Sequence, residues 1–165
     1  MEVWDGYFKD GSPAGVDLIR GEAVPLGLYH LVCEILVRHT DGDYLLMQRD
    51  FAKPNYPGWF EASAGGSALK GEDKTACAKR ELFEETGIRT ENITEIGRHV
   101  SDDTIYHTFL AVSSIEKENV RLQKGETISF KWVTEAEFTG FIQSGKMLPE
   151  QKERYSVFFF KMGYL

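Results

Sequence analysis

Cysteine is nearly absent from this chain: two in 165 residues, Cys33 and Cys77. They stand in unrelated surroundings and in no CxxC or Cys/His pattern, which argues against a disulfide framework or a zinc site. Clustered Lys and Arg are missing as well. With a formal net charge of −7, the chain is no candidate for duplex nucleic-acid binding, which rests on phosphate neutralisation. No apolar run reaches the roughly 18 residues that suggest a membrane span. The acidic start "MEVWDGYFKDG" has no basic segment with an apolar core behind it, so no signal peptide is expected. Internal repeats, low-complexity tracts and linkers are lacking too. These absences leave the expectation of one reduced, cytoplasmic domain over residues 1–165, long enough to bury a real core. A small anionic substrate stays open, because a bound metal can supply local positive charge.

What is present reads as a mixed α/β chain. "VWDGYFKDGSPAGVDLI" is a hairpin turning at Asp10-Gly11, and "LYHLVCEILVR", "TDGD" and "YLLMQR" make a second one. "FAKPNYPGWF" is a loop, since Pro54 and Pro57 cannot serve a central ladder. "FEASAGG" reads as a short strand running into a glycine turn. Residues 73–86 read as a helix, capped by Asp73 and ended by Gly87. Strands follow at "ITEIGRHVS", "TIYHTFLAVSS" and "TISFKWV". Thr134 and Glu137 form a capping box opening a helix to about Gln143, and a last helix is expected from Pro149 to Met162.

The helix at 73–86 carries three glutamates. Each residue turns about 100°, so relative to Glu81, Glu85 lies about 40° to one side and Glu84 about 60° to the other. Three carboxylates therefore share one sector, and like charges at this spacing repel by about 0.2–0.5 kcal/mol per pair. Arg80 on one flank and Lys74 a turn or two earlier relieve this only in part. A divalent cation would relieve it: Mg²⁺ prefers oxygen ligands, and carbonyls of the Gly65-Gly66 turn could add one. By geometry alone, metal binding and a merely acidic helix stand as equal readings.

At these residues the chain resembles a known family. Gly66, five residues, Glu72, seven more, Arg80-Glu81, an apolar Leu82, one free position, Glu84-Glu85, another free position, Gly87 and Ile88 match the signature of Nudix hydrolases. Seven fixed residues at fixed spacing have a chance probability on the order of one in 10⁸ at ordinary residue usage. The resemblance implies an α/β/α sandwich with a mixed β-sheet flanked by helices, and hydrolysis at the pyrophosphate of a nucleoside diphosphate linked to another group, with Mg²⁺ or Mn²⁺. It makes Glu81 and Glu85 the leading metal ligands, lets Glu84 share a second ion or its water, and adds the Gly65 carbonyl. Arg80 and Glu72 become supports of the loop, beside the signature glycines Gly66 and Gly87. Glu84, Glu85 and Glu126 are the candidate catalytic carboxylates. Glu126, in "KGETISFKWV", precedes a late strand where related enzymes place an extra acidic ligand or base; its plain reading is an exposed loop carboxylate.

Arg49, ending "LLMQR", is a candidate for a substrate phosphate or for a surface salt bridge. Trp59 and Tyr56 are candidates to stack on a flat ring or to pack beneath their loop. His30, His99 and His107 read as structural, Cys77 as a small buried residue, and "VFFF" (157–160) as helix packing or a partner surface. A homodimer is a family-level expectation. Two other functions compete. "RGEAVPLGLYHLV" and "PGWFEASAGG" are similar to isopentenyl diphosphate isomerases, yet Ala62 and Ser63 stand where those enzymes keep a catalytic cysteine. A nucleotide sensor without turnover usually loses signature glutamates, and here all are present. Markers of the NADH-cleaving and ADP-ribose-cleaving subgroups are missing, so the substrate stays open.

Overall fold

In the computed structural model, which describes residues 1–165, one long, mostly buried strand organises everything else. Val3–Tyr7 (β1) and Pro13–Ile19 (β2) first form the antiparallel N-terminal hairpin, with Gly11 at φ 89° in its turn. His30–His39 (β3) then runs buried over most of its length, so both of its faces must be covered. It pairs in parallel with Thr104–Ser113 (β8), and Ile93–Val100 (β7) lies antiparallel on the far side of β8.

Tyr44–Arg49 (β4) follows β3 through the expected turn, but their register is a single pair, Arg38 opposite Tyr44. Beyond it β4 takes Phe60–Ala62 (β5) and Thr127–Val133 (β9) as antiparallel partners, while Ala64–Ser67 (β6) pairs with β3. Ser63 sits in the fork at φ 25°. Its Oγ accepts from the Val37 amide at 2.9 Å and donates to the Leu45 carbonyl at 2.8 Å, tying the two diverging strands together. "FEASAGG" is thus two strands, one on each side of the fork, and Gly65-Gly66 is not a turn. Both glycines belong to β6, opposite Glu34 and Cys33.

Helices cover both faces. Lys74–Thr86 (α1) lies on one, its buried stripe of Cys77, Ala78 and Leu82 packed with Ile35, Val37 and Met47. The Asp73 side chain accepts from the Ala76 amide at 2.8 Å, and Gly87 ends the helix at φ 75°. Glu135–Gln143 (α2), Pro149–Arg154 (α3) and Ser156–Met162 (α4) cover the other face through Phe138, Ile142, Tyr155 and Phe159. This is the α/β/α sandwich, and α2 opens with the expected capping box.

The expected last helix is interrupted at Tyr155, where ψ shifts to −1°. Helical hydrogen bonds still run through it, from the Tyr155 amide to Gln151 and from the Phe159 amide to Tyr155, so Tyr155 and Phe159 keep facing the sheet. Phe158 and Phe159 are buried, while Val157 and Phe160 are exposed. His30 stacks on Trp4 with ring centroids 4.3 Å apart, and His107 meets Glu95 at 2.5 Å. No helix is long and apolar enough to cross a membrane.

Candidate active site

The buried stripe of α1 carries Glu85 inward, one turn beyond Leu82, so that the residue is only 7% exposed. β6 runs alongside. A Cβ on Gly66 would lie 2.3 Å from Glu81 Cδ, so glycine is what lets that carboxylate approach the backbone as closely as it does. The Gly65 backbone lies beside the Glu85 carboxyl in the same cleft. Strand and helix are thus clamped face to face, with acid groups in the seam.

Arg80 organises the outer part of that seam. Its Nε and Nη2 donate to Glu72 at 2.6 and 2.9 Å, Nη1 donates to Glu81 at 2.6 Å and to Glu84 at 3.2 Å, and Nη2 also reaches the Ser67 carbonyl at 3.0 Å. Glu72 accepts as well from the Leu69 amide at 2.9 Å, closing the loop before α1. Burial pushes the Glu72 carboxyl up, but Arg80 and the Leu69 amide outweigh it and hold it below the usual range. Burial prevails at Glu81, whose carboxyl is raised despite Arg80.

Glu85 is different. Burial raises its carboxyl well above the ordinary value, and the charged groups acting on it are Glu61, Glu81 and Glu126, all acidic. Glu126 arrives from the start of β9 and is paired with Lys53 of the 50–58 loop. Glu81, Glu85, Glu126 and Lys53 line one cleft with Gly65, Gly66 and Glu84, while Glu61 lines a neighbouring cavity. Arg20 also lines the cleft, from the end of the N-terminal hairpin, bonded to Glu2 at 3.2 Å.

Does this site fit the divalent cation its signature implies? The donor set is all oxygen, and one of its carboxylates, Glu85, is buried with Glu61, Glu81 and Glu126 as the main charges acting on it, which suits Mg²⁺ or Mn²⁺. No three acidic, histidine or cysteine side chains are gathered around one point; Arg80 holds Glu81 and Glu84, and Lys53 holds Glu126. The fit lies in chemistry and burial.

Two sequence candidates fall outside the cleft. Arg49 lines a neighbouring cavity, its Nη1 bonded to Glu61 at 2.9 Å and its Nε to the Asn55 carbonyl at 3.0 Å. Trp59 stands in a smaller pocket with Phe60, Lys131 and Phe141, its ring 5.1 Å from that of Tyr56. Sequence reasoning missed Glu61, Lys53 and Arg20. Glu61 sits two residues before the fork that brings β5 against the site, and no local pattern marks it.

Residues 28–157 match the NUDIX domain, and the chain belongs to the Nudix family. An uncharacterized Nudix hydrolase of Listeria monocytogenes is 30% identical over 152 residues, covering 90% of this chain and 89% of that protein. One from Pseudomonas aeruginosa is 34% identical over 126 residues, 76% of this chain and 74% of that one. Among solved structures, a Deinococcus radiodurans protein superposes with a TM-score of 0.73 at 15% identity, covering 92% and 96% of the two chains. A MutT protein from Methanosarcina mazei gives 0.57 at 23% identity, over 81% and 91%. At these identities both structures speak for the fold alone.

Proposed function

We propose that this protein hydrolyses the pyrophosphate bond of a nucleoside diphosphate linked to another group, using Mg²⁺ or Mn²⁺. The observation that carries the reading is Glu85: a buried carboxylate in one cleft with Glu81, Glu84, Glu126 and the Gly65 backbone of β6. A structural role alone gives no reason for so unfavourable a placement, whereas a cation site does. The relatives' names as Nudix hydrolases point the same way.

Glu81 and Glu85, with the Gly65 carbonyl, would hold the ion, and Glu84 would share a second ion or its water. When bound, the cation neutralises charge on the phosphoryl oxygens and lowers the pKa of an attacking water. Arg80 keeps Glu81 and Glu84 oriented through bonds that the Glu72 carboxylate braces from behind. Glu126 is the candidate base, held at the cleft mouth by Lys53 until substrate competes for that lysine. The isomerase alternative would need a thiol in the cleft. Ala62 and Ser63 supply none, the Ser63 hydroxyl is committed to the backbone, and Cys33 and Cys77 are fully buried.

The test is Mg²⁺-dependent phosphate release from a panel of nucleoside diphosphate derivatives, coupled to a phosphatase, with Glu85→Gln alongside. Turnover lost in the variant supports the reading. Tight Mg²⁺ and nucleotide binding with no turnover of any compound would replace it with a sensor.

A further inference from the structure

On the opposite face of β5 from Glu61, against β9 and α2, lies a pocket of about 260 Å³. Successive strand residues point to opposite faces. Phe60 therefore opens on this pocket, while Glu61 lines the cavity beside the carboxylate cleft. The pocket shares no residue with that cavity or with the cleft. Its volume is just below the roughly 300 Å³ at which drug-sized sites begin, which leaves room for a compact flat ring system.

The walls are aromatic. Phe60 and Phe141 are partly buried against the core beneath α2 and α4, and Trp59 stands beside them 39% exposed. The polar side chains, by contrast, are donors alone. Lys131 and Lys146 line the pocket, and no carboxylate does. The chain's lysine ion pairs are made by Lys53, Lys70, Lys74, Lys79 and Lys117, so both pocket ammoniums are free. Lys131 is held over the Phe60 ring, its Nζ 4.2 Å from the centroid. Of the three tryptophans, Trp4 donates its indole N–H to Glu2 and Trp132 to the Lys117 carbonyl; that of Trp59 has no acceptor in the chain. In a protein of net charge −7, three rings with free cations and no anion are a local reversal of sign.

Ring faces favour a flat π-system, and free ammoniums favour an anion. An aliphatic anion would forgo the rings, a neutral arene would leave both lysines unused, and a cation would be repelled. We infer that this pocket binds a flat aromatic anion, bearing a carboxylate or a phosphate, with its ring against Trp59, Phe60 and Phe141 and its charge on Lys131 and Lys146. The site is separate from the pyrophosphate cleft and does not depend on the hydrolase reading.

The probes are 2-naphthoate and 2-naphthyl phosphate. Controls are 2-naphthamide, cyclohexanecarboxylate and 2-naphthylmethylamine: neutral, non-aromatic and cationic. Binding is read from the NMR shift of the Trp59 indole N–H, assigned by its loss in Trp59→Phe. A naphthyl anion is expected to saturate that shift at least about tenfold more tightly than 2-naphthamide, with the other controls weaker still. The order of carboxylate and phosphate tells which anion the lysines take. Lys131→Met with Lys146→Met, both at exposed positions, is expected to bring the anion down to the affinity of the amide and leave the amide's own binding in place. Trp59→Leu, followed by calorimetry, is expected to weaken both. Equal affinity for anion and amide, anion binding untouched by the paired lysine change, or no saturable shift with any probe overturns the inference. So does displacement of the naphthyl anion by uridine diphosphate with Ca²⁺, which would make the pocket part of the substrate's own site.

Discussion

Replacing Gly66 by alanine tests the seam between β6 and α1 directly. The backbone at Gly66 is not in the left-handed region, so alanine meets no conformational obstacle. The obstacle is steric: the new methyl would lie 2.3 Å from Glu81 Cδ and 2.3 and 2.6 Å from its two oxygens, where carbon contacts settle near about 3.5–4.0 Å. Glu81 must therefore swing out by more than about 1 Å, giving up its 2.6 Å bond to Arg80. A charge-assisted bond contributes about 1.5–3 kcal/mol. Arg80 keeps Glu72, and the displaced carboxylate regains water, so the net loss is about 1–2 kcal/mol. That lowers Tm by about 2–8 °C for a chain of this size.

Activity should suffer far more, because a ligand misplaced by about 1 Å costs about 10²-fold. Calorimetry and Mg²⁺-dependent phosphate release on the same preparation decide it. Gly65→Ala is the contrast: its methyl would meet the Cys33 backbone carbonyl at 2.8 Å, which cannot rotate away, so there stability falls first. A Gly66→Ala enzyme with undiminished Mg²⁺-dependent turnover would refute the placement of Glu81 among the ligands.

Three further outcomes follow from the same geometry. Without metal, Glu85→Gln should melt higher than the parent, since it removes a buried charge faced by Glu61, Glu81 and Glu126; with Mg²⁺ at 100 times its Kd the parent should gain about 2.7 kcal/mol and the variant little, a crossing of melting curves whose absence would count against the cation site. Arg80→Met should cost about 2–4 kcal/mol in urea unfolding, leaving Glu72 and Glu81 without their cation, and Arg80→Lys should recover little because it cannot bridge both. Burial pushes the Glu34 carboxyl up from 4.5 to about 7 against the pull of Arg154, with Glu61 and Glu150 adding to the rise. A raised carboxyl means that the folded state holds its proton more tightly, so stability is full below about pH 4.5, falls as pH rises through about 7, and is flat above. Relative to Glu34→Gln, the parent should lose about 3 kcal/mol across that window, read from urea midpoints at pH 4.5 and 8.

Local chemistry made some parts of this molecule legible in the sequence. Asp73 and Gly87 bound α1, Thr134 and Glu137 open α2, and the spacing of Glu81, Glu84 and Glu85 places them on one face. Each is decided within a few residues by hydrogen-bond geometry or helical period, as the caps show. The Gly65-Gly66 pair misled because glycine serves two needs, a left-handed φ and a close approach. Only the helix that packs on β6 reveals that the second applies. Pairing was misread for a related reason: β3 and β4 have the composition of a hairpin, yet one residue pair joins them, because each strand satisfies its backbone better elsewhere.

The fork at Ser63 ties these two surprises to the site. Because β5 stays with β4 and β6 crosses to β3, Glu61 and Gly65 come to opposite sides of one turn of chain, Glu61 toward the cavity and Gly65 toward Glu85. The signature helix supplies carboxylates, but it is the fork that sets a backbone seam against them and places a further acid, unmarked in the sequence, between cleft and cavity. Ser63→Ala would break both bonds that hold the fork, at about 1–3 kcal/mol for the Val37 amide left unpaired. If the fork positions the site, that variant should lose Mg²⁺-dependent turnover beyond its loss of stability; turnover that merely tracks the folded fraction would leave the fork an architectural joint and nothing more.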